Sequence, residues 1–242
     1  MGAMKRSIVL CVIAVLSLQS VLAAGKQPTL VMLGDGTMAD AAVESAVRGW
    51  GQLFPAYLPD MEVVNMAQAG MSVRKVAAEP GVLDSLLMPF GKKDILLIQF
   101  GQNDLHETIY VQYSPVDAFI QRLSVVITAA EEKKMRVILC TPLAEPFYID
   151  GKLIDRLGAY PQAIRRLAAQ KQLPLVDMEA VTRAWLTEIG EEGAMRYYVD
   201  LDIHHSPKGE YLLNEEGAKA VSKMAEEQLK GLNLKYLSKV LK

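Results

Sequence analysis

The sequence predicts an α/β fold, a three-layer α/β/α sandwich built on a doubly wound, five-stranded parallel sheet. Three observations predict it. From Thr29 onward short apolar runs alternate with longer amphipathic ones, the pattern of a parallel sheet covered by helices on both faces. The ends of the first three runs open into loops rich in Gly, Asn and Asp. No internal repeat, low-complexity tract or linker divides the chain after its leader, so residues 25–242 are expected to form one domain.

The leader is residues 1–24. Lys5 and Arg6 form a positive n-region, Ser7 to Leu22 an apolar core, and Val21-Leu22-Ala23-Ala24 a small-residue cleavage site, which together read as an export signal cut after Ala23 or Ala24. The apolar core is interrupted by Ser17, Gln19 and Ser20 and falls short of the ~20 apolar residues a membrane span needs. An exported protein, periplasmic or secreted, with no membrane attachment after cleavage, is the expectation.

The strands expected are Thr29–Leu33, Glu62–Asn65, Asp94–Phe100, Met135–Cys140 and Leu173–Asp177. Helices are expected over Val116–Lys133, Leu153–Lys171, Ala180–Ile189 and Glu215–Lys230; the first is the clearest, with Phe119, Leu123, Val126 and Ala130 at helical spacing. Right-handed crossovers between such strands produce a doubly wound sheet, whose ligands bind beyond the carboxyl ends of the strands.

Composition excludes several function classes. The chain has 26 basic and 28 acidic side chains; removing Lys5 and Arg6 with the leader leaves 24 against 28, a net charge of −4. That balance, without a basic cluster, argues against a nucleic-acid or anionic-membrane partner. Cys11 leaves with the leader and only Cys140 remains, so no intrachain disulfide framework or cysteine metal site is possible. His204-His205 has no third ligand nearby, so no metal is expected, and no cofactor.

The loops carry the functional signal. The first strand runs into Gly34-Asp35-Gly36-Thr37, the second into Asn65-Met66-Ala67-Gln68-Ala69-Gly70, the third into Gly101-Gln102-Asn103-Asp104. Each alone reads as a tight turn. Three opening on one sheet edge read as a site.

These blocks resemble the SGNH or GDSL hydrolase family, whose sheet is flavodoxin-like, and most of all its rhamnogalacturonan acetylesterase branch. The first block of that branch reads Gly-Asp-Ser-Thr-Met-Ala; here Gly34-Asp35-Gly36-Thr37-Met38-Ala39 matches it except at the serine, and the similar Arg48-Gly49-Trp50-Gly51-Gln52 follows. Asn65, Gly70 and Ser72 match the second block and Ile98-Gln99-Phe100-Gly101-Gln102-Asn103-Asp104 the third, while Leu157-Gly158-Ala159-Tyr160-Pro161 and Pro174-Leu175-Val176-Asp177-Met178 extend the likeness over nearly the whole mature chain.

The resemblance implies a serine esterase in which a histidine deprotonates the serine, an aspartate orients the histidine, and donors stabilise the developing oxyanion. Those donors would be the backbone N–H groups of Gly36 and Gly70 and the side-chain amide of Asn103. The nucleophile position is Gly36, which has no side chain to acylate. Thr37 is the neighbouring hydroxyl, the one alternative nucleophile, although adjacent side chains in such a turn point in different directions.

The acid–base pair has two registers. The family's last block reads Asp-x-x-His followed by Gly-Ala at the start of the final helix. With Asn214-Glu215-Glu216-Gly217-Ala218 as that start, the aspartate falls at Gly209 and the histidine at Leu212, and the whole triad is vacated. With His204-His205-Ser206-Pro207-Lys208-Gly209 as the block, Asp202 and His205 keep the spacing. The first register has the stronger following helix and Asn214 as an N-cap.

An acetylated glycan is the partner implied, held by a monomer. Asp35, Thr37, Trp50 and His106 are candidate ligand contacts; Trp50, His106 and Tyr113 have groups suited to stacking on or bonding to sugars, with packing or plain surface as the alternative for each. A non-catalytic glycan-binding protein using the same cleft is therefore the rival to a working acetylesterase. Asp35-Gly36-Thr37 also matches half of the haloacid dehalogenase-type phosphatase loop, but Leu33 stands where that nucleophile would be.

Overall fold

The computed structural model describes residues 27–105, 113–199 and 211–238; the predicted leader lies outside them. Five strands, β1 (Thr29–Gly34), β2 (Glu62–Asn65), β3 (Ile95–Gln99), β4 (Arg136–Cys140) and β7 (Leu175–Val176), form one parallel sheet in the order β2-β1-β3-β4-β7. The chain steps from β1 outward to β2, then returns to the other side of β1 for β3. The strand order reverses between β1 and β3, and ligands of such sheets bind beyond the carboxyl ends of the strands at that point.

Both faces of the sheet are buried. Leu30, Met32, Ile95, Leu97 and Ile138 point to one core, Val31, Leu33, Leu96, Ile98 and Val137 to the other, as the period of two along a strand requires. The first core is closed by the short helix α1 (Trp50–Leu53), by α6 (Met178–Ala194) and by α7 (Glu215–Gly231); the second by α2 (Val73–Ala78), α3 (Val82–Leu87), α4 (Val116–Glu132) and α5 (Tyr160–Lys171). In α4 the buried residues are Phe119, Leu123, Val126, Ile127 and Ala130, one stripe of a 3.6-residue period. Helix α7 begins where expected: Asn214 Oδ1 accepts the Gly217 N–H at 3.0 Å, and Glu215 and Glu216 lie in its positive first turn.

Two helices differ from expectation. The one predicted from Leu153 begins at Tyr160, because Leu153 pairs in a hairpin of β5 (Tyr148–Ile149) and β6 (Lys152–Leu153). Asp150 and Gly151, at φ 50° and 72°, make its two-residue turn. Asp155 then bonds the Leu157 and Gly158 N–H groups at 3.0 and 3.3 Å, turning the chain before the helix. The helix predicted over Ala180–Ile189 runs from Met178 to Ala194, broken at Gly190 with φ 67° and ψ −178°. The last strand contracts to two residues. Helices α1, α2 and α3 were not anticipated. Among the described residues no helix is long and apolar enough to cross a membrane.

Gly217 shows how tightly α7 is seated: a Cβ there would lie 2.1 Å from the Tyr197 carbonyl oxygen. Gly217→Ala is expected to cost about 1–3 kcal/mol of stability, read as a lower denaturant midpoint at unchanged slope. An unchanged midpoint would contradict this packing.

Candidate functional site

The site forms where β1, β2 and β3 end. Gly34 closes β1 against β3, since a Cβ would meet the Gln99 carbonyl oxygen at 2.8 Å. The chain then turns, with Met38 N–H bonded to Asp35 O at 3.2 Å and Ala39 N–H to Gly36 O at 3.3 Å. Gly49 and Gly51 let α1 pack on this turn; side chains there would come within 2.1 Å of Ala39 O and 2.5 Å of Met38 O. Asn65 donates to Met38 O at 2.9 Å and to Asp40 Oδ1 at 2.6 Å, tying in the end of β2.

Behind the turn runs a buried chain of hydrogen bonds. Trp50 Nε1 donates to Gln99 Oε1 at 3.1 Å, Gln99 Nε2 to Thr37 Oγ1 at 2.7 Å, and Thr37 Oγ1 to Asp35 Oδ1 at 2.7 Å. The Thr37 N–H also reaches Asp35 Oδ1, at 3.1 Å. The Thr37 hydroxyl is thus bonded on both sides.

Gly36 differs from its glycine neighbours. A Cβ there would touch only Ala69, at 3.4 Å from Cα and 3.8 Å from Cβ, and its φ is outside the left-handed region. A side chain fits. Gly70, at φ 72°, does occupy that region. Neither the Gly36 N–H nor the Gly70 N–H donates to another group among the described residues. Asn103 Nδ2 donates to Met71 O at 2.8 Å, which uses one of its two N–H bonds. Gly36, Gly70 and Asn103, three residues singled out in the sequence, therefore gather around the turn at residues 69–71.

The other sequence candidates lie as follows. Trp50 is fully buried, edge-on to Phe54 with ring centroids 5.3 Å apart, so its indole packs the core and presents no face to a sugar. Asp35 is also buried, its carboxyl turned back onto Thr37 rather than toward a ligand. Tyr113 is half-buried. Leu212 is half-buried and its carbonyl accepts the Val199 N–H at 2.9 Å. His106, Asp202, His205 and Gly209 lie outside the described residues.

Buried carboxyls cluster at this edge. Burial pushes Asp35 up from 3.8 to about 6, against the lowering effect of its bonds from Thr37, Gln102 and Gln99. Burial likewise pushes Asp104 up from 3.8 to about 7; the Val73 N–H and Ser114 hydroxyl oppose it, and the Asp35 charge adds to it. The loop after β4 holds a residue that the sequence did not reveal. Glu145 is buried, paired with Arg156 Nε at 3.3 Å, and pushed up from 4.5 to about 7 by burial despite that cation. Arg156 also donates to the Tyr211 hydroxyl at 2.9 Å and covers the Phe147 ring at 4.8 Å. No local signal marks Glu145, since its burial depends on Arg156 and Tyr211. At the end of β7, burial raises Asp177, but the two bonds from Arg165, both 2.8 Å, bring its carboxyl below the usual range.

Comparison with known proteins places this geometry. Residues 32–212 match the model of the GDSL-like lipase/acylhydrolase family. The chain is 28% identical over 215 residues to the probable rhamnogalacturonan acetylesterase YesY of Bacillus subtilis (strain 168), covering 88% of this chain and 97% of that protein. It is 30% identical over 219 residues to the rhamnogalacturonan acetylesterase RhgT of the same organism, covering 86% and 93%. Among solved structures, YXIM of Bacillus subtilis superposes with a TM-score of 0.73 at 25% identity, over 87% of this chain; the chain spans 58% of that longer protein. The acetyl xylan esterase AlAXEase shares the fold, with a TM-score of 0.62 at 19% identity over 81% of this chain and 96% of that one.

The raised carboxyls set a pH dependence. Asp35, Asp104 and Glu145 retain protons in the folded protein at pH values where the unfolded chain has lost them. Their contribution is full below the unfolded values and is lost as pH rises through about 6 to 7. The denaturant midpoint is expected to be higher at about pH 5 than at about pH 8, with a smaller drop in an Asp104→Asn variant. Equal slopes for the two proteins would refute the assignment.

Proposed function

Because the chain belongs to the GDSL-like lipase/acylhydrolase family, we propose that it is an exported, acetylesterase-like protein that recognises an acetylated glycan of the pectic type but no longer hydrolyses it. The observation that carries this reading is Gly36. Its surroundings admit a side chain and its backbone does not require glycine, so the missing hydroxyl is not a demand of the fold. Without that group no acyl-enzyme forms, and no shift of a neighbouring pKa supplies a nucleophile.

Thr37 does not replace it. Its hydroxyl accepts from Gln99 and donates to Asp35, and withdrawing it would leave buried polar partners unsatisfied. The N-cap at Asn214 favours the register in which Gly209 and Leu212 stand at the vacated aspartate and histidine positions. A site reduced to its donors retains roughly 10³–10⁴-fold acceleration over water, against the ~10⁶-fold or more of working enzymes. The donors survive because two of them are backbone groups. Recognition of the acyl group is then the function left to the cleft, and the names of the relatives YesY and RhgT supply the ligand class.

Hydrolysis of p-nitrophenyl acetate tests the reading. The protein is expected to show no saturable turnover, and Gly36→Ser alone is expected not to restore it. Gly36→Ser combined with Gly209→Asp and Leu212→His is expected to do so. Saturable turnover by the unaltered protein, or an adduct trapped on another side chain of the cleft, would sink the proposal. Restoration by Gly36→Ser alone would instead place the pair at Asp202 and His205.

A further inference from the structure

We propose that the outer face of helices α4 and α5 is an interface between two copies of this chain, which form a reversible dimer with their α4 helices antiparallel across a two-fold axis. The loops at the carboxyl ends of the strands take no part in it.

The outer face of α4 differs from that of a helix turned wholly to water. Helices α4 and α7 have the same length, 17 residues, and each buries one stripe in the core. The outward side of α7 is charged and laced by the pairs Glu215–Lys219, Lys223–Glu227 and Glu226–Lys230, as a solvated helix face is. On α4 the exposed side chains between Asp117 and Glu131 are Gln121, Val125 and Thr128, none of them charged. Val125 is 49% exposed, the only large apolar side chain so exposed within an α-helix among the described residues. Valine and threonine are poorer helix formers than the lysine and glutamate that α7 shows to water, so helix stability does not account for them. Loss of charge from the middle of a surface patch marks the core of a protein interface.

Two hollows run along this face. One, of about 420 Å³, lies between the two helices, with Asp117, Ile120 and Gln121 of α4 and Arg166, Leu167 and Gln170 of α5 in its lining. The other, of about 350 Å³, continues from Gln121 past Ser124, Val125 and Thr128 to Glu132. Grooves beside a helix take the side-chain ridge of a second helix.

Charge selects a second copy as the occupant and sets its direction. The exposed charges of the strip stand at its ends, Asp117 and Arg166 at one and Glu131 and Glu132 at the other; Arg122 is half-buried and donates to Ser114 Oγ at 2.7 Å. Parallel helices would set Glu132 against Glu132 and Arg166 against Arg166. Antiparallel helices, paired about the midpoint between Ser124 and Val125, bring Glu132 of one copy to the Arg166 end of the other, where Arg166 also offsets Asp117. Gln121 then faces Thr128, both Val125 side chains meet near the axis, and each Glu132 lies at the positive N-terminal end of the opposing α4. The strip is thus complementary to itself, as a two-fold interface requires.

Size sets the strength. At 1.5 Å per residue α4 is about 25 Å long, and two helices about 10 Å apart make a face roughly 20 Å wide, or about 500 Å² per copy. The total of about 1,000 Å² is the lower limit for a specific interface, so the affinity is of micromolar order or weaker. In dilute solution the monomer expected from the sequence prevails.

Sedimentation of the purified protein from about 5 to 500 µM in low-salt buffer tests this. A reversible monomer–dimer equilibrium is expected. Val125→Glu, which sets two carboxylates against each other at the axis, is expected to weaken it about tenfold or more. Arg166→Glu is expected to weaken it as well, and the addition of Glu132→Arg to that variant to restore it to within about twofold. The exchanged residues are exposed, so should Val125→Glu not fold, the charge exchange decides. A protein that stays monomeric throughout, a dimer indifferent to Val125→Glu, or a double exchange that leaves the dimer as weak as Arg166→Glu alone overturns the inference.

Discussion

The buried chain Trp50–Gln99–Thr37–Asp35 is the interaction on which the site depends. Its members come from α1, the end of β3 and the turn after β1, so it joins the two strands between which the sheet reverses direction. Each link is buried or half-buried, and a buried donor or acceptor left unpaired costs about 1–3 kcal/mol. The whole set therefore holds together or fails together. It fixes the turn that carries Gly36. It also commits the Thr37 hydroxyl to structure.

That commitment separates the glycines of the turn into two kinds. Gly34, Gly49 and Gly51 permit backbone approaches that any side chain would block, with Cβ clashes between 2.1 and 2.8 Å. Their presence follows from packing alone. Gly36 lies among them in sequence yet has ordinary van der Waals contact only with Ala69. Three glycines are there because the fold needs them, and the fourth is not. Only a position where a side chain is sterically allowed can report on chemistry by lacking one.

Much of the fold was legible because a parallel sheet buried on both faces writes itself as unbroken apolar runs, and β1, β3 and β4 are such runs. The site loops were legible for a related reason: Gly34, Gly70, Gly101 and Asn103 occur where strands end. What was misread depends on distant partners. For Trp50 the sequence left sugar contact and packing both open, and the structure buries its indole in the core, bonded to Gln99 forty-nine residues away. Glu145 carries a charge that local pattern would assign to solvent, and its burial follows from Arg156 and Tyr211. The Asp150-Gly151 turn is a local signal, and the hairpin it closes takes Leu153 out of the helix expected to start there.

A difference in chemical kind separates recognition from catalysis in this architecture. Two of the three donors that the family resemblance implies are main-chain N–H groups, those of Gly36 and of Gly70, the latter at positive φ. Substituting a side chain does not delete them. The nucleophile and the acid–base pair consist of side chains, and one substitution removes each outright. At the last loop the side chains next to Leu212 serve packing: Tyr211 is held by Arg156, and Leu213 is buried in a bridge with Tyr198 while its carbonyl accepts the Arg48 N–H at 2.8 Å. Under the proposed loss of hydrolysis the implied donors outlast the reaction, because the backbone and not a replaceable side chain supplies two of them.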